Sequence, residues 1–515
     1  MINRASNQIN KEKTPTVWTV AGSDSCAGAG IQADLKTFNS MDIYGCTLIT
    51  AITAQNTLGV AMVTHIGDEM FDAQLEMLAD EFMPNAIKSG MMATPHQAKS
   101  LATFLAKYPN IFYICDPVMI STSGSSLCST ETIQAIQKYL LPRANIITPN
   151  LMEAHYLSGD GKDKGHSIYQ LAQTILKKYS CQSVLIKGGH NENSHSNRTL
   201  AEDIWVNDKG ATLHLSLPRI HLGKADIHGT GCTLSAVLTA CLAKGESVEN
   251  ALVMAKHYIT ESIRTSKMAT DMSYLLNHKP FDLINKLPSI TTNTLPPLPN
   301  QAFPAIKGDI GFYPIVDTSV WVHKLADLGV QTIQLRIKEG TVQNIEQEIK
   351  LSIEIAKKHG VKLFINDHWK IAIKYQAYGI HLGQEDIEGA ELLLIYQAGI
   401  RLGISTHDYY ELARGLLIQP SYIALGPIFE TTSKEMRFEP QGIYKLKQWK
   451  NLIGNMPLVA IGGITLDDMP AIYQAGADGV SVISYVTQAE DPEKNTIQAL
   501  EIQNRDLPIK NLILC

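Results

Sequence analysis

The sequence lacks the features of membrane, secreted and nucleic-acid-binding proteins. No apolar run approaches the roughly 18 residues that a membrane span needs, and residues 1–16 are polar where a signal peptide has an apolar core. The eight cysteines are irregularly spaced without a C-x-x-C pair, which indicates reduced thiols. Lysine and arginine form no basic patch in a chain of formal net charge −6. We therefore expect a cytoplasmic protein with small-molecule partners, no nucleic acid and no membrane. Monomer and homodimer are both left open.

The chain of 515 residues is too long for one ordinary hydrophobic core. Six prolines are concentrated between Lys279 and Lys307, in a stretch with neither helical nor strand periodicity. This composition is typical of a linker, which we assign to residues 276–307. It separates a predicted domain over residues 16–275 from a second one over residues 308–505.

Before the linker, short β-rich runs alternate with amphipathic segments of helical length. The runs lie at residues 17–21, 47–52, 86–90, 112–116, 145–149, 183–188, 203–207 and 213–217. This alternation predicts a mostly parallel sheet with helices on both faces.

After the linker the alternation becomes regular. Eight candidate strands, each followed by a segment of helical length, lie at residues 312–316, 332–336, 362–365, 379–382, 401–405, 422–426, 458–461 and 479–483. Eight such units in about 200 residues predict a (β/α)₈ TIM barrel. An open, doubly wound sheet is the alternative.

A glycine-rich segment with a cysteine precedes an apolar helical pattern in the first half. It reads His228-Gly229-Thr230-Gly231-Cys232. Backbone N–H groups at a helix N-terminus would cradle a transferring phosphoryl group, and glycine permits close approach. A thiol held there is biased toward the thiolate, so Cys232 could accept the proton of a substrate hydroxyl that attacks ATP. Taken alone, such a turn is more often an ordinary loop.

Further motifs in the first half change that balance. They lie at residues 21–24, 27–37, 50–57, 88–91, 116–119, 148–153 and 187–190. As a set they resemble the hydroxymethylpyrimidine/phosphomethylpyrimidine kinases of thiamine biosynthesis, members of the ribokinase-like superfamily, over roughly residues 16–275. The resemblance implies an αβα sandwich that uses ATP to phosphorylate the hydroxymethyl group of the pyrimidine and then the resulting monophosphate.

The resemblance also implies roles for individual residues of this half. Gln55 and Asp34 would read the polar edge of the aminopyrimidine, and its pocket would be lined by Gly22, Met91 and Val118. Cys232 takes the base position that many ribokinase-like enzymes give to aspartate, beside an anion hole of Gly229, Thr230 and Gly231. Asn150 and Glu153 match the N-x-x-E motif that organises Mg²⁺, with Lys187 near the nucleotide. A solvated carboxylate at a helix start is the alternative for Glu153.

One loop of the first half departs from the family pattern. Residues 24–30 read D-S-C-A-G-A-G, where the family commonly has D-P-S-G-G-A-G. The loss of proline and of one glycine is expected to affect closure of this loop. We interpret Cys26 as a packing residue.

In the second half, polar residues follow the ends of the predicted strands, which face a common mouth in a barrel. Asp367 and Asp386 follow adjacent strands and suit Mg²⁺, which takes one or two carboxylates in addition to water and phosphate. Arg336, Lys338 and Lys434 would hold a diphosphate as it departs. Glycine-rich strand ends at residues 461–464 and 482–484 suit a second anion site.

This half resembles thiamine-phosphate synthases over roughly residues 308–505. The matching motifs are Q-x-R-x-K, I-N-D, G-I-H-L-G-Q-E-D, L-G-P-I-F, a Thr/Ser-Lys loop and I-G-G-I-T. The resemblance implies Mg²⁺-dependent joining of the pyrimidine diphosphate to a thiazole phosphate, with Lys434 catalytic. The implied ligands of the pyrimidine diphosphate are Gln334, Arg336, Lys338, Asn366, Ser405 and Lys434. The implied thiazole phosphate ligands are Thr431, Ser433, Gly463, Ile483 and Ser484. Ile337 and His368 depart from the family pattern.

Three alternatives remain open at this point. The first half could be a pyridoxal kinase, although Gln55 and the content of the second half favour the pyrimidine kinase. The second half could be a thiazole tautomerase, although Arg336, Lys338 and Asn366 favour the synthase. One half could also be a non-catalytic sensor of thiamine precursors.

Overall fold

The computed structural model describes residues 14–57, 59–119, 128–159, 166–188, 199–223, 226–271, 273–281, 286–430 and 438–506. The chain forms two compact units. The first unit contains the residues up to Asp282 and the segment Pro288–Thr292, and the second contains Leu283–Leu287 and the residues from Asn293 onward. Within the described ranges, no helix combines the length and the apolarity needed to cross a membrane.

The first unit is built on a large, mostly parallel sheet. Its strands in chain order are β1 (Thr16–Ser23), β2 (Tyr44–Asn56), β3 (Gly59–His65), β4 (Ala86–Ser89), β5 (Phe112–Cys115), β6 (Ile146–Ile147), β7 (Ser183–Ile186), β8 (Leu200–Asn207) and β9 (Thr212–Pro218). A small second sheet contains β10 (Asp226–Ile227), β11 (Lys267–Thr270) and β12 (Ser273–Leu275). The large sheet has the order β9-β8-β7-β6-β5-β4-β1-β2-β3, parallel from β7 to β2 and antiparallel outside these strands. The predicted mostly parallel sheet is confirmed.

Eight helices accompany these sheets in the described part of the chain. They are α1 (Gly30–Ser40), α2 (Asp68–Glu81), α3 (Pro95–Lys107), α4 (Thr130–Ala135), α5 (Leu151–Ser158), α6 (Ile168–Tyr179), α7 (Thr230–Ala243) and α8 (Val248–Arg264). Capping boxes fix the starts of three of them, with Thr94, Asn150 and Ser167 as the N-caps of α3, α5 and α6. Helix α7 is buried along almost its whole length, as its apolar sequence requires.

The segment assigned as a linker is partly ordered, contrary to the sequence-based expectation. Strand β13 (Ser289–Thr292) pairs antiparallel with β9 at the edge of the large sheet. Only four residues pair, too few for a strand pattern to stand out among the prolines. Prolines are tolerated beside an edge strand because one side of that strand needs no ladder hydrogen bonds.

The second unit is a closed barrel of eight parallel strands. They are β14 (Gly311–Val316), β15 (Thr332–Leu335), β16 (Lys362–Asn366), β17 (Gly379–Leu382), β18 (Arg401–Thr406), β19 (Tyr422–Leu425), β20 (Leu458–Ile461) and β21 (Gly479–Val482). Pairing of β14 with β21 closes the barrel and excludes the open sheet. The helices are α9 (Ser319–Asp327), α10 (Val342–His359), α11 (Trp369–Lys374), α12 (Gln384–Glu388), α13 (Leu392–Gln397), α14 (Tyr409–Ile418), α15 (Gly442–Ile453), α16 (Met469–Gln474), α17 (Ser484–Thr487) and α18 (Pro492–Asp506).

Aromatic rings fill the inside of this barrel. Tyr313, Phe364 and Tyr422 pack together there, each with an exposed fraction of 1 % or less. Two strand glycines make room for the rings. A Cβ atom added at Gly379 would lie 2.2 Å from Phe364, and one added at Gly403 would lie 2.1 Å from Tyr422. The barrel therefore has a packed centre that supports the residues at its mouth.

Candidate active sites

Two glycine-rich loops of the first unit meet where helices α1 and α7 begin. Gly229 is the N-cap of α7 with φ 81°, and a Cβ atom there would lie 1.8 Å from the carbonyl oxygen of Gly28. Gly30 opens α1 with φ 59°, and its Cβ atom would lie 2.3 Å from the carbonyl oxygen of Gly22. Glycine is therefore required at both positions, and the N-terminus of α7 is left approachable.

The departing loop at residues 24–30 is organised by a buried carboxylate. Asp24 accepts hydrogen bonds from the backbone N–H groups of Cys26, Gly28 and Ala29 at 3.0, 3.0 and 2.8 Å. The Cys26 thiol also contacts Asp24, at 3.2 Å, and burial together with that carboxylate raises its pKa. These contacts hold the turn of the loop and give Cys26 a local, structural partner.

Cys232 lies half-buried in the first turn of α7. Burial raises the pKa of its thiol above the ordinary value, although the nearby Lys88 ammonium and the N–H group of Gly30 act in the opposite direction. The expectation that this thiol is biased toward the thiolate is therefore wrong. Burial of the sulfur away from water raises the pKa by more than the helix N-terminus and the Lys88 ammonium lower it.

Lys88 and Asp34 form a fully buried ion pair next to this cysteine. The ammonium nitrogen of Lys88 lies 2.9 and 2.7 Å from the two carboxylate oxygens of Asp34, which also accepts a hydrogen bond from Thr19 at 2.6 Å. Neither charged side chain is exposed. The prediction that Asp34 reads the edge of the pyrimidine needs correction, because both of its oxygens are engaged in the core. Asp34 instead neutralises Lys88.

A second buried carboxylate joins the sheet to helix α7. Asp116 contacts Lys187 at 2.8 Å and accepts hydrogen bonds from Thr148 at 3.1 Å and Ser235 at 3.2 Å. A Cβ atom added at Gly231 would lie 3.0 Å from the Lys187 nitrogen. Lys187 therefore lies directly against the predicted anion hole, with Asp116 holding it there.

Asn150 and Glu153 form a reciprocal pair at the start of α5. Asn150 N–H donates to Glu153 at 2.8 Å, and Glu153 N–H donates to the Asn150 side chain at 2.9 Å. Glu153 is only 6 % exposed, so its interpretation as a solvated carboxylate is wrong. Burial and the Asp116 charge raise its pKa to about 7, against the effect of Lys187. A nearby cation would stabilise the ionised form of this carboxyl group.

The predicted pyrimidine-pocket residues of the first unit lie on neighbouring strands. A Cβ atom on Gly22 would lie 3.2 Å from the Met91 sulfur, so these two residues are in contact. Gln55 is partly exposed on β2, and its backbone N–H donates to Ser25 at 3.4 Å. Val118 follows β5 and is half-buried.

Sequence reasoning assigned no role to Lys88 or Asp116, although both stand in motifs that it quoted. Lys88 lies within β4, whose residues are all buried, and Asp116 directly follows the mainly buried apolar strand β5. A charged residue in such a strand is the signal that could have marked both, because buried charges require partners.

At the mouth of the barrel, two carboxylates face each other. Burial and the Asp386 carboxylate raise the pKa of Asp367 to about 6, while Arg336 opposes the shift. Gly383 leaves space for this arrangement, since a Cβ atom there would lie 2.9 Å from an Asp386 oxygen. Two repelling carboxylates beside open solvent are a donor set that fits Mg²⁺.

A chain of hydrogen bonds crosses the barrel beneath this mouth. Gln334 Nε2 donates to Tyr313 Oη at 3.2 Å, and Tyr313 Oη lies 2.9 Å from Tyr422 Oη. Tyr422 Oη lies 2.7 Å from His381 Nδ1, and His381 Nε2 lies 2.8 Å from Ser405 Oγ. Burial and Arg336 lower the pKa of His381 to about 3, so its ring is neutral. Sequence reasoning missed His381 and both tyrosines, although His381 stands in a quoted motif.

The glycine-rich end of β20 and the end of β21 surround a cavity of about 430 Å³. Gly463, Ile483 and Ser484 line it, as expected for one site. The hydroxyl of Ser481, which also lines it, is buried without a hydrogen-bond partner. An orphaned hydroxyl in a polar cavity is suited to a bound polar ligand.

The remaining predicted synthase residues are placed unevenly. Asn366 ends β16 and is 8 % exposed, whereas Lys338 is exposed beyond β15. His368 Nε2 lies 3.4 Å from the carbonyl oxygen of Ile337, so the two residues that depart from the family pattern contact each other. Thr431, Ser433 and Lys434 lie outside the described residues.

Comparisons with known proteins match the two units separately and together. A phosphomethylpyrimidine kinase model matches residues 24–277, and a thiamine monophosphate synthase model matches residues 312–486. The chloroplastic thiamine biosynthetic bifunctional enzyme TH1 of Arabidopsis thaliana is 31 % identical over 501 residues, 95 % of this chain and 92 % of that protein. The chain belongs to this family of bifunctional thiamine biosynthetic enzymes.

Partial similarities accompany this bifunctional match. The thiamine-phosphate synthase of Serratia proteamaculans is 46 % identical over 39 % of this chain and 94 % of its own. The phosphomethylpyrimidine kinase structure from Clostridium difficile is 38 % identical, with TM-score 0.41, and covers 49 % of this chain and all of that one. The pyridoxal kinase of Staphylococcus aureus with ADP is 33 % identical, with TM-score 0.48, over 55 % of this chain and 99 % of that one. As a bifunctional thiamine biosynthetic enzyme, the chain has a kinase unit followed by a synthase unit.

Proposed function

We propose that the kinase unit uses ATP to phosphorylate 4-amino-5-hydroxymethyl-2-methylpyrimidine and then its monophosphate. The synthase unit joins the resulting diphosphate to thiazole phosphate, which gives thiamine phosphate and pyrophosphate. The observation that carries this proposal is that each unit gathers an anion site and compensating charges at one place, in a chain that matches both family models. Reduced thiols among the described residues, at Cys26, Cys46, Cys115, Cys181, Cys232 and Cys241, support a cytoplasmic location.

In the kinase unit, the thiolate form of Cys232 accepts the proton of the substrate hydroxyl as that oxygen attacks the terminal phosphoryl group of ATP, and the bond from that group to ADP breaks, which releases ADP. Lys88 is the cation that stabilises this thiolate before the transfer, since its charge lowers the pKa of Cys232. N–H groups at the start of α7, with Lys187 beside Gly231, hold the transferring group. Asn150 and Glu153 would hold Mg²⁺ near the nucleotide phosphates.

In the synthase unit, the bond between the pyrimidine methylene carbon and the diphosphate oxygen breaks. The aminopyrimidine ring stabilises the carbocation, and the thiazole nitrogen then attacks that carbon. Arg336, Lys338 and Lys434 neutralise the departing pyrophosphate. Asp367 and Asp386 would hold Mg²⁺, which supplies further neutralisation when it is bound. The cavity at Gly463 and Ser484 would hold the thiazole phosphate.

One incubation tests the proposed function. The purified protein receives the hydroxymethylpyrimidine, ATP, Mg²⁺ and thiazole phosphate, and mass spectrometry follows the monophosphate, the diphosphate and thiamine phosphate. All three species should appear in that order. Accumulation of pyrimidine diphosphate without thiamine phosphate would favour a tautomerase or sensor in the second unit. Phosphorylation of pyridoxal in preference to the pyrimidine would favour the pyridoxal kinase.

A further inference from the structure

The hydrogen-bonded chain inside the synthase barrel connects two predicted ligands of the pyrimidine diphosphate. Gln334 stands at one end on β15 and Ser405 stands at the other on β18. The three residues between them, Tyr313, Tyr422 and His381, are 1 %, 0 % and 5 % exposed. Because these groups are shielded from water, each must use its neighbours in the chain as donors and acceptors.

One order of hydrogen bonds follows from the first one when each buried hydroxyl proton is given an acceptor within the row. An amide nitrogen has no free lone pair, so Gln334 Nε2 can only donate and Tyr313 Oη must accept. The Tyr313 hydroxyl then donates to Tyr422, its neighbour at 2.9 Å, and the Tyr422 hydroxyl donates to His381 Nδ1. A neutral imidazole that accepts at Nδ1 carries its proton on Nε2.

This order determines what the two ends present to a ligand. His381 Nε2–H donates to Ser405 Oγ, which leaves the Ser405 hydroxyl proton available for an electron-rich atom of the ligand. At the other end, Gln334 uses an amide N–H inside the barrel, so its carbonyl oxygen remains available as an acceptor. Gln334 is neutral and lies deeper than Arg336, two residues further along, so it is placed for the uncharged ring and not for the diphosphate.

We propose that Tyr313, Tyr422 and His381 are positioning residues that fix the Gln334 carbonyl as an acceptor for the 4-amino group and the Ser405 hydroxyl as a donor. This row of hydrogen bonds thereby selects an aminopyrimidine over a 4-oxopyrimidine, because the oxygen of the latter would face the Gln334 carbonyl. This inference rests on the proposed function of the synthase unit. It adds a source of specificity that involves no ligand contact by the three central residues.

The test compares two buried tyrosines. Tyr422→Phe removes the central hydroxyl and keeps the ring. The Tyr313 hydroxyl then loses its acceptor, so the Gln334 amide can rotate and accept the Tyr313 proton with its carbonyl oxygen. Tyr473→Phe is the matched control, because the Tyr473 hydroxyl is also buried but has no hydrogen-bond partner among the described residues. Each protein is assayed for the KM of the aminopyrimidine diphosphate, the inhibition constant of the 4-oxo analogue of that diphosphate, and the KM of thiazole phosphate.

Tyr422→Phe should reduce the preference for the amino over the oxo compound by about tenfold or more, since one misdirected hydrogen bond is worth about that factor. Tyr473→Phe should leave the preference unchanged, and both should keep the KM of thiazole phosphate. If Tyr422→Phe weakened the binding of the amino compound and of the 4-oxo compound equally, the three central residues would have only a packing role and the proposal would be overturned. An unchanged preference in Tyr422→Phe would overturn it as well.

Substitutions of His381 provide a second, independent readout. Glutamine can accept with its carbonyl and donate with its amide, so His381→Gln should retain more of the preference than His381→Leu does. Equal loss in both variants would contradict the directional order. Failure of the proposed function is recognised separately, because the unmodified protein would then form no thiamine phosphate from the diphosphate.

Discussion

The Lys88 ammonium nitrogen lies 2.7 Å from Asp34 Oδ2, and neither side chain has any exposed surface. The carboxylate raises the pKa of Lys88, so this lysine is charged in the middle of the kinase sheet. Lys88 in turn acts on Cys232 in the first turn of α7. A core ion pair thus keeps a cation beside the thiol proposed as the base.

Lys88→Met should destabilise the kinase unit by about 3–5 kcal/mol, because it leaves the Asp34 carboxylate buried without its partner. The double variant Lys88→Met with Asp34→Asn should regain much of this loss, since no buried charge then remains. The midpoint of urea-induced unfolding of the kinase unit measures both. Arg264→Gln, which breaks a surface pair with Glu261 in the same unit, is the control and should leave unfolding nearly unchanged. A Lys88→Met protein as stable as the unmodified one would contradict the ion-pair assignment.

The rate of phosphorylation should rise with pH through the neutral range. Burial raises the pKa of Cys232, so the reactive thiolate is the minor form there, and its fraction grows about tenfold per pH unit below that pKa. Cys232→Ala should lose on the order of 10²- to 10⁴-fold in both phosphorylations. Its synthase activity with supplied diphosphate should be retained.

The variant Cys232→Asp tests whether Cys232 acts as a base or only as a packing residue. A carboxylate at this position is ionised at neutral pH, so the steep rise of rate with pH should flatten. Cys26→Ala is the matched control, because Cys26 contacts Asp24 in the neighbouring loop, and its pH profile should keep the slope. Cys232 would be a packing residue if Cys232→Ala phosphorylated the pyrimidine at the full rate.

Most strands of the two units were predictable because their patterns are local, whereas β3 and the short strands β10 to β13 were not predicted. All eight barrel strands begin and end within one residue of the predicted ranges. The ion pairs were not predictable in this way. Lys88 and Asp34 are 54 residues apart, and only the packing of α1 against the sheet brings them together. The raised pKa of Cys232 likewise reflects burial, which a helix-terminus argument does not contain.

Asp367→Asn should raise the Mg²⁺ concentration needed for half-maximal coupling by about tenfold or more, because one of two carboxylate ligands is lost. Asparagine is the appropriate replacement, since Asp367 has φ 62° and asparagine tolerates the left-handed conformation that alanine resists. Glu385→Gln, one residue before Asp386 in the same short helix, is the control. Thiazole phosphate affinity, measured by titration, should change much less in Asp367→Asn. Equal loss of both affinities would reject the separation into two subsites.

Lys434→Ala should slow coupling by weakening charge neutralisation at the departing diphosphate. Rapid-quench measurement of pyrophosphate release from saturating diphosphate checks the effect on the chemical step. Lys447→Ala, a change on helix α15 of the same unit, serves as the control for loss of a lysine. A change confined to the KM of thiazole phosphate would place Lys434 in the other subsite.

The domain boundaries show where sequence composition was a poor guide. Prolines between residues 279 and 307 suggested a free linker, yet Ile290 in β13 is 5 % exposed and Phe303 is 4 % exposed. Ser421 and Arg401 donate hydrogen bonds to the carbonyl oxygens of Pro304 and Ala305. Residues 289–292 are therefore part of the first unit, and residues 303–305 are part of the second unit. These contacts depend on partners far away in the chain, which local composition does not reveal.

Fragment 1–294 keeps strand β13 and fragment 295–515 keeps Phe303, so each should fold on its own. Fragment 1–277 would lose strand β13 and Phe281, which stacks on Tyr258 at 5.9 Å. Fragment 307–515 would lose Phe303, whose burial contributes roughly 1.5–3 kcal/mol. Urea-induced unfolding should show lower midpoints for the two shorter fragments. Equal midpoints for the long and short versions would mean that the ordered linker contacts contribute nothing.

The two longer fragments also test why the units are joined. Tethering raises the effective concentration only of groups that stay attached to the chain, and the pyrimidine diphosphate is released as a small molecule. An equimolar mixture of fragments 1–294 and 295–515 should therefore make thiamine phosphate nearly as fast as the full chain. The decisive measurement adds an isotopically distinct pool of diphosphate, with excess Cys232→Ala protein, to the active full-length enzyme. If the intermediate diffuses freely, the product carries the label of the bulk pool, because most synthase sites then belong to chains that cannot make their own diphosphate. Product drawn almost wholly from newly made diphosphate would instead establish channelling and refute a linker that serves only to produce both units together.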